Sequence, residues 1–283
     1  MRHLKNIDQF VNEHLFGNSY NKFLSLLGLT APGEIKEPKP SVVDGKVKFS
    51  EGGDKGKNIQ ILIETMKKHG ITNPYTQIAI LGVIGKECGY IPKNEYSYSG
   101  TSNERLRKLF GKRLERFNDT ELDALKRNDV EFYDVIYGSK QDPKPNWNTG
   151  NTQPGDGYKY RGRGFNGITF KSLYEKYQKL LDQHSKLSKK VNIVNNPDEL
   201  NNPEVAAEVA VLYFLDAANS KQMPMKYGVS DINGFKDQRT ATKAMTNANA
   251  GWGKDIEGSE SLARAEQNVT KFNIDTTGTA SLA

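Results

Sequence analysis

The chain has a single cysteine, Cys88, in 283 residues. That excludes an internal disulfide framework and gives no sign of an oxidative route of maturation. Its four histidines, His3, His14, His69 and His184, are scattered, and none has another histidine or cysteine nearby at ligand spacing. A catalytic zinc is therefore not expected, and no cofactor is. Long apolar runs are missing as well: no segment approaches the roughly 20 apolar residues of a membrane helix. The opening residues Met1-Arg2-His3-Leu4-Lys5-Asn6-Ile7-Asp8 lack the uninterrupted apolar stretch of a signal peptide. The expectation is a protein made soluble in the cytoplasm, with no membrane insertion, whose passage outward depends on another route. Hydrophobic residues make up 36% and mean hydropathy is −0.70, low but compatible with one large domain and an appendage.

Charge imbalance is slight. Forty basic against 34 acidic side chains leave a net +6. That excess suits a polyanionic partner such as a bacterial wall or nucleic acid, and equally suits solubility alone. No basic run is interleaved with aromatics in the way single-strand-binding platforms require, so nucleic acid is not expected as a partner.

What the chain does have is helical periodicity. Leu4, Ile7, Phe10, Val11, Leu15 and Phe16 recur at helical spacing, and the stretch from Ala31 to Pro40 then breaks regular structure. Residues 1–30 read as a helical arm that docks on a larger assembly or packs on the main domain, and residues 31–50 as a linker. Ile59, Leu62, Ile63 and Met66 form a stripe that stops at Gly70, and Asn73-Pro74 caps and opens a second helix, apolar nearly all round from Ile78 to Ile84. Further helices are predicted over 103–114, 120–128, 130–137, 169–184, 203–219, 238–246 and 259–272. Strand signals are few, around 46–49 and 158–169. The main domain spans 51–275, with a tail at 276–283. The fold class is mainly α. Residues 138–157, with Pro143, Pro145 and Pro154, read as a long loop of the kind that is often functional.

Two carboxylates stand out. Glu87 falls in the last turn of the apolar helix, where the macrodipole and poor solvation both favour the protonated form that a general acid needs. Glu95 lies eight residues on among Lys93, Asn94, Tyr96 and Ser97, and reads as solvated and ionised. Environments that push two carboxyl pKa values apart assign acid and base roles, and glycosidic hydrolysis by inversion needs one of each. From spacing alone, an ion-paired or capping Glu87 and a merely exposed Glu95 are the ordinary alternatives.

The surrounding words add a resemblance. Ile84-Gly85-Lys86-Glu87-Cys88-Gly89 resembles the I-[AG]-H-E-[ST]-G segment of glycoside hydrolase family 19, the chitinases and related phage lysozymes. Glu95-Tyr96-Ser97-Tyr98-Ser99 with the block from Asn103 to Arg113, the run Tyr160 to Thr169 with Tyr174, the segments Asn196-Pro197-Asp198 and Pro203 to Phe214, and Thr242 to Asn247 are similar, in order, to later motifs of that family. The resemblance covers about residues 56 to 272. It implies a lysozyme-like, two-lobed helical domain with a small β element and an inverting mechanism on β-1,4-linked amino sugars. Under it Glu87 is the acid, Glu95 the base, and Ser99, or else Ser97, holds the water. Tyr98, Tyr160, Arg163, Thr169 and Asn247 would bind substrate. Arg161 and Arg163 read equally as structural ion-pair partners.

The departures from the pattern are Lys86 for the family's histidine, Cys88 for its serine or threonine, and Gly167 for its glutamine. The absent disulfides and signal peptide favour a phage or bacterial peptidoglycan hydrolase, released by a holin-type route or mounted on a virion through the N-terminal arm. A chitinase, or an inactive wall-binding or virion structural protein, stay open as alternatives.

Overall fold

Helix α1 (Asp54–Lys68) forms where Ile59, Leu62, Ile63 and Met66 recur on one face, and all four are buried. It closes at Gly70, whose φ of 76° lies in the left-handed region that a glycine adopts without a Cβ penalty. Helix α2 (Pro74–Cys88) starts as its sequence dictates: the Asn73 side chain accepts from the Thr76 N–H at 3.1 Å, and Pro74 fills the first helical position. From Ile78 to Ile84 every apolar side chain of α2 is buried, each contributing about 1.5–3 kcal/mol for the larger aliphatics. These are the residues described in the computed structural model: 41–43, 46–48, 53–142, 148–219, 226–250, 256–274 and 280–282.

The chain continues through α3 (Asn103–Phe110), α4 (Lys112–Glu115), α5 (Asp119–Leu125), α6 (Asp129–Ile136) and α7 (Asp156–Lys159). After these come α8 (Lys171–His184), a short 3-10 turn (Pro197–Asn201), α9 (Pro203–Asn219), α10 (Gln238–Ala250) and α11 (Glu260–Val269). The protein is mainly helical. Helices α10 and α11 pack along α2, while α9 packs on α1 and α8. The α2–α11 seam is close because α2 carries glycine there: a Cβ on Gly82 would stand 3.0 Å from the Ala265 carbonyl oxygen. Together these helices enclose a large, mostly aliphatic core.

A second, aromatic core lies under α3 to α6. Tyr98, Phe110, Phe132, Tyr133, Tyr137 and Phe170 are all buried there, with ring centroids such as Tyr98–Phe110 and Tyr137–Phe170 at 5.2 Å in edge-on packing. The predicted helix over 103–114 is broken into α3 and α4 because Gly111 takes φ 53°.

The predicted strand over 158–169 is not formed. Gly164 (φ 81°) and Gly167 (φ 63°) curl this stretch into a tight turn, so only Arg163 and Ile168 bridge, through bonds of 3.1 and 2.9 Å. Within the expected linker 31–50, strands β1 (Ser41–Val43) and β2 (Lys46–Lys48) pair antiparallel. Strand β3 (Phe272–Ile274) pairs antiparallel with β4 (Ala280–Leu282), so part of the expected tail returns to the body. The expected arm 1–30 lies outside the described residues. Among the described residues no helix is long and apolar enough to cross a membrane.

Candidate active site

Glu87 sits in the last turn of α2 and is 1% exposed. Its Oε1 meets the Lys86 ammonium at 2.5 Å and accepts from Asn249 Nδ2 of α10 at 2.8 Å. Lys86 Nζ also donates to Ser261 Oγ of α11 at 2.7 Å, and its side chain is itself buried. The position expected to hold an uncharged acid is instead an ion pair, because Lys86 turns onto its neighbour. Oε2 of Glu87 is buried and has no hydrogen-bond partner among the described residues. A buried acceptor left in that state costs free energy, and such an oxygen is available to a water or a ligand hydroxyl.

Glu95 corrects the sequence reading in the other direction. It was expected to be solvated, yet it is only 3% exposed. It lies in an extended stretch pinned to the Arg161–Arg163 turn: its N–H donates to the Gly162 carbonyl at 2.7 Å, and the Gly162 N–H donates to its Oε2 at 3.1 Å. The hydroxyls of Tyr98 and Tyr137 donate to Oε1 at 2.9 and 3.1 Å. Burial pushes the carboxyl up to about 7, opposed by the Gly162 N–H, the two tyrosine hydroxyls and the Arg161 charge. Burial wins because solvation lost by a carboxylate outweighs three hydrogen bonds from neutral donors. The surrounding phenols of Tyr98, Tyr133 and Tyr137 are in turn pushed well up, first by their own burial and next by the nearby Glu95.

The other expected site residues divide. Tyr98 is fully buried and touches Glu95 directly. Ser99 is exposed and is linked to Ser97 Oγ at 3.1 Å, while Ser97 bonds Asp129 at 2.7 Å. Three of the expected substrate contacts point inward instead. Arg163 is 3% exposed and pairs with Asp198 at 2.9 Å, and it also donates to the Lys159 carbonyl and the Tyr174 hydroxyl. Tyr160 donates to the Val194 carbonyl at 3.3 Å, and Thr169 to the Gly167 carbonyl at 2.9 Å. These three hold the turn that presents Gly162 to Glu95, so they position the site rather than line it. Arg161 lies over the Tyr158 ring, 4.0 Å from its centroid. Gly167 supplies the φ of 63° that the turn uses.

Asn247 is buried and borders a cavity of about 520 Å³ with Lys226, Tyr227, Arg239, Lys243 and Glu257. Neither Glu87 nor Glu95 lines that cavity. Of the long loop 138–157, residues 143–147 lie outside the described residues, and the rest is tied down: Asp134 accepts from the Gly155 and Gly157 N–H groups, and Asn151 Nδ2 donates to the Tyr137 carbonyl. Sequence reasoning passed over Tyr137, Asn249 and Ser261. Tyr137 falls in the aromatic run Phe132-Tyr133-Asp134-Val135-Ile136-Tyr137, a signal for a core but not for a carboxylate partner. Asn249 and Ser261 carry no local signal. Among the described residues no group of three or more His, Cys, Asp or Glu could hold a metal ion.

No known protein-family model matches the chain, and no curated protein matches it.

Proposed function

We propose that the protein is a glycosidase that cuts β-1,4 bonds between amino sugars of bacterial peptidoglycan by inverting acid/base hydrolysis, on a two-lobed lysozyme-like fold with a small β element. The observation that carries this reading is Glu95. It is a carboxyl sunk among tyrosines, with its proton affinity raised to about 7, the condition a general acid needs near neutral pH. Glu87 offers the complementary group, ion-paired through Oε1 and with Oε2 unengaged. In this reading the pair act in exchanged roles: Glu95 donates its proton to the leaving oxygen, and Oε2 of Glu87 accepts one from the attacking water. Tyr98 and Tyr137 hold Glu95 in register, and Lys86 and Asn249 hold Glu87. The small positive net charge suits an anionic wall. The ordered motifs favour a phage enzyme, released at lysis or carried on a virion through residues 1–30.

A second reading has its own support. Both carboxyls lie beneath the surface, and Glu87 is clasped by a lysine. A polymer reaches them only if the side chains above move aside. A protein of this build that binds walls without cutting them is the alternative, and a chitinase is the other outcome of the same chemistry.

Mass analysis of the fragments released from purified peptidoglycan and, in parallel, from chitin separates the three. Disaccharide-peptides from the wall are expected, and Glu95→Gln and Glu87→Gln should each lower their release by about 10²–10⁴-fold. Fragments from chitin alone would make it a chitinase. Release of nothing from either polymer would leave the non-cutting reading in place.

A further inference from the structure

One face of α10 borders a hollow. Arg239, Lys243 and Asn247 recur every fourth residue on that face, and all three line the cavity of about 520 Å³. Glu257, from the turn ahead of α11, lines it too, and its carboxylate is held at two points. Oε1 accepts from Arg239 Nη2 at 2.7 Å, and Oε2 meets Lys243 Nζ at 2.6 Å. Two cations one helical turn apart thus form a clamp for the two oxygens of one carboxylate, with the short charge-assisted contacts that carboxylate recognition uses. The clamp is not a buried structural pair. The Arg239 side chain is 72% exposed and that of Glu257 46%. Exposed ion pairs contribute little to stability, so another carboxylate can take the place of Glu257 at small cost. Lys226 brings a third cation to the lining, while the second acid there, Asp237, accepts from the Thr240 N–H at 2.8 Å at the start of α10. Three positive charges therefore face two negative ones, and apart from the Tyr227 ring the lining is polar throughout. The volume is that of a small-molecule site, and the lining suits a hydrophilic anion.

We infer that this cavity is a binding site for a small polar ligand bearing a carboxylate, which displaces Glu257 from the Arg239–Lys243 clamp while its body occupies the hollow beside Thr240 and Asn247. Glu257 is the internal stand-in for that ligand: it keeps the two cations paired until a carboxylate with more to touch arrives. Glu266, 3.7 Å from Arg239 Nε, lies outside the lining and stays with the arginine throughout. Neither Glu87 nor Glu95 takes part, so the site goes beyond the glycosidase reading and stands or falls apart from it.

Calorimetric titration of the full chain tests this, at fixed ionic strength in a buffer free of carboxylate and phosphate. The probes are citrate, N-acetylmuramic acid, N-acetylglucosamine and inorganic phosphate, each alone. The two sugars form a matched pair, since the first carries a carboxylate that the second lacks. Citrate or N-acetylmuramic acid should bind, and N-acetylglucosamine should not. Replacing both arms of the clamp, Arg239→Gln with Lys243→Gln, should raise Kd about tenfold. Glu257→Gln should lower Kd about threefold, because the competing carboxylate is gone. Glu175→Gln removes the same charge from the exposed surface of α8 and should leave Kd unchanged. Melting temperatures should stay at the wild-type value, since each altered side chain is at least partly exposed. Failure of both carboxylates to bind even the Glu257→Gln protein overturns the site. Equal tightening by Glu257→Gln and Glu175→Gln overturns it too, because overall charge would then account for the binding. Phosphate bound more tightly than either carboxylate overturns the choice of ligand. None of these outcomes depends on fragment release from walls, so failure of this site and failure of the hydrolase reading are told apart.

Discussion

The two buried glutamates are accommodated by opposite means. Around Glu87 the surroundings are aliphatic and amide-lined, made by α2, α10 and α11, and the charge is met by a cation: Lys86 at 2.5 Å, steadied by Ser261. Around Glu95 the surroundings are phenolic, made by α6 and the 161–163 turn, and among the described residues no cation forms an ion pair with the carboxyl. Three neutral donors face it, and burial lifts its proton affinity instead. A buried carboxyl is tolerated either by a partner of opposite charge or by keeping its proton. One chain uses both within nine residues, and the difference leaves two chemically identical side chains in opposite electrostatic settings.

The comparison is broken most severely at Lys86. Lys86→Met keeps the length of the side chain and removes its charge, leaving a buried carboxylate without its cation, so roughly 3–5 kcal/mol of stability should be lost. Chemical denaturation with full extrapolation to water checks this; a midpoint equal to wild type would mean that the pair is solvated in solution.

The next effect is the pH dependence carried by Glu95. Its folded-state value of about 7 lies above the ordinary 4.5, so the folded protein binds this proton more tightly than the unfolded chain does. The resulting stability is fully present below about pH 4.5 and is lost as pH rises through 7, about 3 kcal/mol in all. Glu95→Gln should flatten the stability profile across that window while leaving the remainder of the curve alone. A profile that keeps its slope places the titration elsewhere.

Smaller still is Tyr137→Phe, which removes one donor from Oε1 and should cost about 1 kcal/mol. Since that hydroxyl opposes the effect of burial, its loss should move the Glu95 titration further upward. A downward move, read from the carboxyl carbon by NMR, would show that the phenol does not serve the ionised form.

Much of the fold could be read from local chemistry. Asn73-Pro74 and Gly89 mark both ends of α2, and the apolar run between them announces its burial. The ion-pair alternative kept open for Arg163 describes its bond to Asp198. What could not be read depends on chain segments far apart. Glu95 looked polar because its neighbours in sequence are polar, but the groups that enclose it include Tyr137, 42 residues away, and Gly162, 67 away. Lys86 sets the character of Glu87 only because it is drawn inward to Ser261, which no neighbouring residue signals. The helix over 103–114 was divided by one backbone angle at Gly111, where the surrounding pattern stays helical.

The Lys86–Ser261 bond spans 175 residues of chain. Helix α11 is thus an absentee while α2 is being made, and domains assemble as their segments leave the ribosome. Until that late helix arrives to fill the groove beside Gly82, the carboxylate at 87 has neither its settled counter-ion nor its roof. The surroundings of Glu87 are therefore among the last parts of the molecule to mature during translation, and a chain cut short before residue 260 would carry both glutamates yet leave the first one unfinished.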